Sequence, residues 1–312
     1  MIYTVRHLST YQYNSEVTFA RCVLRLTPVT GISQTLLESS IAVSPTPATK
    51  VIKRGPYGAD TVSISIDTPH AALTIESRCV VEAHAAPPSP DAESPPWEAV
   101  REAALLARRL DTDSPTLYLY PTRATPYDPD IADYAAASFA PGRPILAAAA
   151  ELMGRVKAEF DYDTEATDVR TPVSAAFAQR RGVCQDFAHV MICGLRGGGL
   201  AARYVSGYIR TLPAPGQPRL EGADATHAWV ELWCGETLGW VGFDPTNNLL
   251  TGNEHLVLAC GRDYGDVAPV DGVLLGAGRQ MLDVAVDVAE LTAAQAHSGE
   301  PPGRRSASSG GV

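Results

Sequence analysis

A chain of 312 residues is long enough for two cores, and 45% hydrophobic with 19% charged residues is the balance of a soluble globular protein. The formal net charge of −10 argues against nucleic acid or an anionic membrane surface as partner, since both favour a basic face. No run approaches the about 18 apolar residues a membrane span needs, and the opening Met1-Ile2-Tyr3-Thr4-Val5 reads as a strand rather than a signal peptide, so no membrane partner and a cytoplasmic location are expected.

Residues 1–84 read as an antiparallel β domain. Cys22, Leu24 and Leu26 alternate with Arg21, Val23 and Arg25; Val62, Ile64 and Ile66 alternate with Thr61, Ser63 and Ser65. Leu73, Ile75, Cys79 and Val81 share one parity of a later run. Period-two patterning broken by Gly55-Pro56-Tyr57-Gly58 indicates strands with one wet face. The histidines of this region, His7, His70 and His84, lie apart and read as surface or structural. Residues 85–96 hold five prolines and no periodicity, which suits a linker or an exposed crossover.

Helices are expected over 97–110, 131–139 and 144–160, the last with Pro144 in its first turn. A short helix through Gln179 follows Thr171-Pro172, with Thr171 as its N-cap. The turn Arg180-Arg181-Gly182 then delivers Val183-Cys184-Gln185-Asp186 into a helix whose apolar stripe is Phe187, Val190, Met191, Gly194 and Leu195, closed by Gly197-Gly198-Gly199. Strands are expected at 201–210, 225–233, 240–243, 256–259 and 281–288. The Pro- and Gly-rich loop Thr211–Gly222 reads as mobile, and 291–312 as a disordered tail. The catalytic segment is thus expected over 97–290, and the chain as a whole is α+β.

Six cysteines (Cys22, Cys79, Cys184, Cys193, Cys234 and Cys260) form no C-x-x-C pair and no zinc-finger spacing, so reduced thiols and no metal or other cofactor are expected. Five read as small core hydrophobes. Cys184 differs because a helix N-terminus offers free N–H groups and a dipole that favours a thiolate. Downstream, His227 stands on the same strand parity as Trp229, Glu231 and Trp233, and Asp244 on the same parity as Trp240 and Gly242. Adjacent antiparallel strands would bring Asp244 beside His227, where a carboxylate orients an imidazole that takes a thiol proton. His189, five residues after Cys184, points about 140° away round the helix and is excluded as the base. Asp186 complements the dipole and is a candidate cap.

Gly182-Val183-Cys184-Gln185-Asp186-Phe187-Ala188-His189, Arg203-Tyr204-Val205-Ser206-Gly207-Tyr208, His227-Ala228-Trp229-Val230-Glu231 and Trp240-Val241-Gly242-Phe243-Asp244-Pro245-Thr246-Asn247 closely resemble the bacterial transglutaminase-like family. Tyr3-Thr4-Val5-Arg6-His7 resembles its N-terminal β domain, and Gly261-Arg262-Asp263-Tyr264 also fits. The resemblance covers about residues 1–290 and implies a papain-like core, helices packed on an antiparallel sheet, after the N-terminal β domain. It also implies Cys184 as nucleophile, His227 as general base and acid, Asp244 as orienting carboxylate, and a peptide or protein substrate attacked at an amide to give a thioester. Hydrolysis is favoured, with glutamine transamidation or a silent binding scaffold as alternatives. A metal-dependent amidase using His227 and Asp244 carries little weight, because no ligand cluster is visible in the spacing. The Cys184 N–H is one expected oxyanion donor, with Gln179 or Gln185 as side-chain candidates. Tyr162, Tyr208 and Trp229 are candidates for the cleft wall, whereas Trp233 and Trp240 read as packing.

Overall fold

The computed structural model describes residues 1–89, 92–210, 225–276 and 278–291. The Thr211–Gly222 loop and the tail expected over 291–312 lie outside the described residues, apart from Leu291.

The N-terminal alternation is realised in β1 (Ile2–Val17), β2 (Phe19–Leu24), β3 (Gln34–Ser44), β4 (Thr49–Arg54), β5 (Asp60–Ile66) and β6 (His70–Ala83). Leu24, Val62, Ile64, Ile66, Leu73 and Ile75 point inward and form one cluster between two sheets. Each such buried aliphatic side chain contributes about 2 kcal/mol over its exposed state, which is what fixes the register of these strands.

The helices follow. α1 (Trp97–Leu106) stops short of the expected Leu110, because Ala107 is already extended. α2 (Pro129–Ala136) starts where Asp128 Oδ1 accepts the N–H groups of Asp130 and Ile131 at 3.0 and 3.2 Å. α3 (Ile145–Glu159) begins just after Pro144. β7 (Asp161–Tyr162) precedes α4 (Val173–Gln179), whose cap position is Pro172. Thr171 does not cap it; its hydroxyl accepts the Asp168 N–H at 2.9 Å instead.

β8 (Arg181–Gly182) leads into α5 (Cys184–Gly197), and β9 (Ala202–Ile209), β10 (Ala225–Trp233), β11 (Trp240–Asp244), β12 (Leu249–Leu250) and β13 (His255–Gly261) then form the core sheet in the order β12-β11-β10-β9-β13. α6 (Tyr264–Val267), β14 (Val270–Leu275) and β15 (Gln280–Glu290) finish the described chain. The last two strands return to the N-terminal sheets, giving the orders β15-β1-β6-β3 and β14-β2-β5-β4. Val286 faces His7 and Gly272 faces Cys22 in these pairings. The strand pairing therefore departs from a division that keeps 97–290 together. Period-two patterning fixes which face of a strand is wet but not which strand is its neighbour.

α5 lies on one face of the core sheet, with Phe187, Val190, Met191 and Leu195 against Ala228, Val230, Leu232, Val241 and Phe243. Every residue from Asp186 to Arg196 is buried, so the helix is enclosed all round rather than along one stripe. The buried Arg196 guanidinium donates to the carbonyls of Tyr118, Ala202 and Arg262 and to the Thr125 hydroxyl, which anchors the C-terminal end of this helix. Tyr208, which shares the strand parity of Tyr204, packs with Leu256 and Leu258 on Tyr3, Val5, Val81 and Val286 of the sheet β15-β1-β6-β3. Tyr208 is thus an interlayer residue rather than a cleft wall, its hydroxyl 3.1 Å from His7 Nδ1.

Candidate active site

Cys184 is delivered by a turn that the sequence leaves few ways to build. Gly182 has φ +156°, and a Cβ there would lie 2.5 Å from Asp186 Oδ2, so only glycine fits. Asp186, in the first turn of α5, reaches back: its Oδ2 accepts the Val183 N–H at 2.8 Å and the Thr167 hydroxyl at 2.6 Å. Asp186 is therefore a cap, as expected, and it also ties down the polar loop after β7. The N–H of Cys184, at the first helical position, has no acceptor within the helix and is free for a developing oxyanion. Cys184 and Cys260 are half-buried, while Cys22, Cys79, Cys193 and Cys234 are buried, and all six are free thiols. Burial pushes the thiols of Cys79, Cys193 and Cys260 up to about 12.

His227 and Asp244 come from neighbouring strands. β10 and β11 run antiparallel with Val230 opposite Phe243 and Glu231 opposite Gly242. Alternation then puts His227 and Asp244 on the face away from α5's main packing, as the strand parity predicts. His227 Nε2 lies 2.8 Å from Asp244 Oδ2, and both residues are buried. That bond leaves Nδ1 as the second ring nitrogen, and the Cys184 thiol lies near enough to raise the ring's affinity for a proton. Burial by itself lowers the imidazolium, but the Asp244 carboxylate and the Cys184 thiol outweigh it and raise His227 to about 9. Burial would raise Asp244, yet hydrogen bonds from His227, His255 and Asn247 hold its carboxyl well below the usual range. Asp244 is accordingly ionised, and His227 donates to it from Nε2.

Two residues around the carboxylate were not anticipated. The Asn247 side chain donates to Asp244 Oδ2 at 2.8 Å, and the N–H groups of Thr246 and Asn247 reach Oδ1 at 3.0 and 3.1 Å. His255 Nε2 lies 3.2 Å from Oδ2. Its only signal in the sequence is a histidine opening a strand, the same placement that marked His227. The fold also corrects the expectation that no ligand-like cluster exists: a ring nitrogen of His227, a ring nitrogen of His255 and an Asp244 oxygen lie within 4.8 Å of one another. Both ring nitrogens are committed to the carboxylate, so the group forms a hydrogen-bonded array.

The remaining candidates separate clearly. Tyr162 is 53% exposed and packs edge-on against Phe187 at 6.2 Å, and partial burial, with Cys184 and Asp186 nearby, raises its phenol, so it stands beside the cleft. Gln185 is half-buried beside the thiol, whereas Gln179 is exposed on α4. Trp229 is buried and lies 6.1 Å from the His227 ring and 5.2 Å from that of His255, a floor beneath the imidazoles rather than a wall of the cleft. His189 accepts the Tyr264 N–H at 3.2 Å, and burial lowers it to about 4, so its role is structural. Chemically, the site offers a thiol at a helix start, an imidazole with a raised affinity for a proton, and a buried ionised carboxylate that orients it.

Comparison with known proteins agrees with this architecture. The bacterial transglutaminase-like N-terminal region matches residues 3–82, and the transglutaminase-like superfamily matches residues 133–245. An uncharacterized protein of Mycobacterium tuberculosis is 38% identical over 293 residues, covering 92% of each chain. A protein-glutamine gamma-glutamyltransferase of Pseudomonas aeruginosa is 34% identical over 104 residues, 30% of this chain and 15% of that one. The crystal structure of a candidate cysteine protease from Cytophaga hutchinsonii superimposes with a TM-score of 0.70 at 19% identity, covering 94% of this chain and 91% of that one, and so shares its fold. The chain belongs to the bacterial transglutaminase-like family.

Proposed function

We propose that the protein is a cysteine acyl-transfer enzyme acting on peptide, isopeptide or glutamine-type amide bonds, with Cys184 as nucleophile, His227 as acid and base, and Asp244 as the orienting carboxylate. The observation that carries the reading is His227 itself: one ring nitrogen is bound to Asp244 at 2.8 Å, and Asp244 together with the nearby Cys184 raises the ring's affinity for a proton. The Cys184 sulfur lone pair attacks the amide carbonyl, whose π electrons move onto oxygen, next to the free N–H at the start of α5. As the tetrahedral intermediate collapses, the C–N bond breaks, the imidazolium gives its proton to the departing nitrogen, and a thioester remains. Neutral His227 then takes a proton from the acceptor, which attacks the thioester and returns the thiolate–imidazolium pair.

Hydrolysis is the favoured outcome, because water is present at any half-exposed thioester while an amine competes only where a site concentrates it. Transamidation is the second reading, supported by the glutamyltransferase name of the Pseudomonas aeruginosa relative. The test is a panel of glutamine-containing and amide-linked peptides, incubated with and without a primary amine and read by mass spectrometry. The proposal expects cleavage or deamidation that needs Cys184, with amine incorporated only in the second reading. Turnover by the Cys184→Ala protein equal to that of the wild type rules the proposal out.

A further inference from the structure

We propose that His255 is a positioning residue for Asp244: a neutral imidazole N–H that fixes the carboxylate in line with His227 without cancelling its charge. This rests on the roles given above to Cys184, His227 and Asp244. His255 opens β13, which is not a neighbour of β11; β10 and β9 lie between them in the sheet. The two residues nevertheless meet, Nε2 to Oδ2 at 3.2 Å. The intervening strands make this possible. β10 supplies Trp229, whose ring meets that of His255 edge-on at 5.2 Å and 78°. β9 supplies Gly207, directly opposite His227, where a Cβ would run into the Trp229 ring and the Leu256 carbonyl.

The tautomer follows from the other nitrogen. The Gly252 N–H points to His255 Nδ1 at 3.4 Å, and the His255 backbone N–H returns to the Gly252 carbonyl at 3.0 Å. Nδ1 is therefore the acceptor, and the ring proton sits on Nε2, aimed at Asp244. A histidine that merely filled space in this turn would be satisfied by Gly252 alone; this one spends its only ring N–H on the carboxylate. A lysine or arginine in its place would bind the same oxygen but neutralise the charge that His227 needs. Asn247 is the second neutral donor to Oδ2, so the carboxylate is held from two sides while its negative charge stays available to His227. The ionisable groups facing His227 are Asp244 from β11 and Cys184 from α5, with the His255 ring centroid 6.3 Å away on β13.

The first arm of the test needs no substrate. Iodoacetate, an anion, gains from an imidazolium beside the thiolate, and iodoacetamide does not, so their ratio of alkylation rates at Cys184 reads the charge on His227. In the wild type this ratio is expected to fall as pH rises through about 9. His255→Phe, with similar bulk and no donor, is expected to move that fall to lower pH by about one unit and to cut the turnover number about tenfold at unchanged KM. His255→Gln, which keeps a neutral N–H, is expected to restore the wild-type midpoint and most of the rate. If the Phe variant does not fold, His255→Asn, too short to reach Oδ2, takes its place. Glutamine and phenylalanine variants that behave alike, whether both like the wild type or both impaired, overturn the inference. A wild-type ratio that ignores His227→Ala removes the acyl-transfer reading itself, and this inference falls with it. A normal wild-type profile with unmoved variants defeats only the role of His255.

Discussion

His227 and Asp244 meet on one face of β10 and β11 with 2.8 Å between Nε2 and Oδ2, and the carboxylate is wholly enclosed. An enclosed, ionised carboxylate can fix the imidazole tautomer and stabilise its protonated form, which a solvated one does only weakly. Asp244→Asn keeps the shape but removes the charge and reverses the preferred tautomer. The expected result is a loss of kcat/KM of about 10⁴-fold on the best amide substrate, with a cooperative thermal transition retained. A loss below about tenfold removes Asp244 from the mechanism.

The pH dependence follows from the same pair. The fold raises His227 from 6.5 to about 9, so its imidazolium is favoured in the native state. Its contribution to stability is fully present below 6.5 and is lost as pH rises through about 9. Asp244 is lowered, so its contribution is present above its ordinary value of 3.8 and is lost as pH falls through the folded value. Acylation, which needs the imidazolium to protonate the leaving nitrogen, should decline through the same upper window, near 9. Rate profiles and urea titrations of wild type and His227→Gln check both: the alkaline loss of stability should be absent from the variant.

Thiol reactivity should be confined to one site. Burial raises Cys79, Cys193 and Cys260 to about 12 and also raises Cys22 and Cys234, leaving the half-buried Cys184 beside an imidazole. Brief iodoacetamide treatment of the folded protein at neutral pH, followed by peptide mapping, should label Cys184 alone. Labelling of Cys193 or Cys234 at a comparable rate contradicts the packing described for α5 and β10.

Asp186 is expected to matter for stability more than for chemistry. Its Oδ2 holds the Val183 N–H and the Thr167 hydroxyl, so Asp186→Ala leaves both without their acceptor. The cost should be about 1–2 kcal/mol in urea unfolding. Thr167→Val should cost less, because the N–H bond to Val183 survives. Equal losses from the two variants would mean that the loop tie, not the cap, holds the turn.

The sequence made the strand faces and the helix start readable, and less of what joins distant segments. Local rules were enough for Cys184 at a helix N-terminus and for His227 and Asp244 on matching parities, since each depends on a short stretch and one hairpin-like pairing. His255 escaped because its partner lies across two intervening strands, a relationship fixed by the strand order and by the close approach at Gly207, not by spacing. β14 and β15 escaped for a related reason: their partners β2 and β1 lie more than 200 residues away in the chain. Tyr208 and Trp229 carried the right strand alternation, but aromatic size alone does not tell a cleft wall from a layer between two sheets, and both proved to be buried.

The central claim, that Cys184 carries an acyl group through a thioester, is tested most directly by trapping that species. The protein is mixed briefly with p-nitrophenyl acetate, quenched in acid and examined as intact mass and as peptides. The account predicts one acetyl group on Cys184, released by hydroxylamine, with much slower formation in His227→Ala and none at that position in Cys184→Ala. An acetyl group found only on other residues, together with amide turnover that persists in Cys184→Ala, would contradict it.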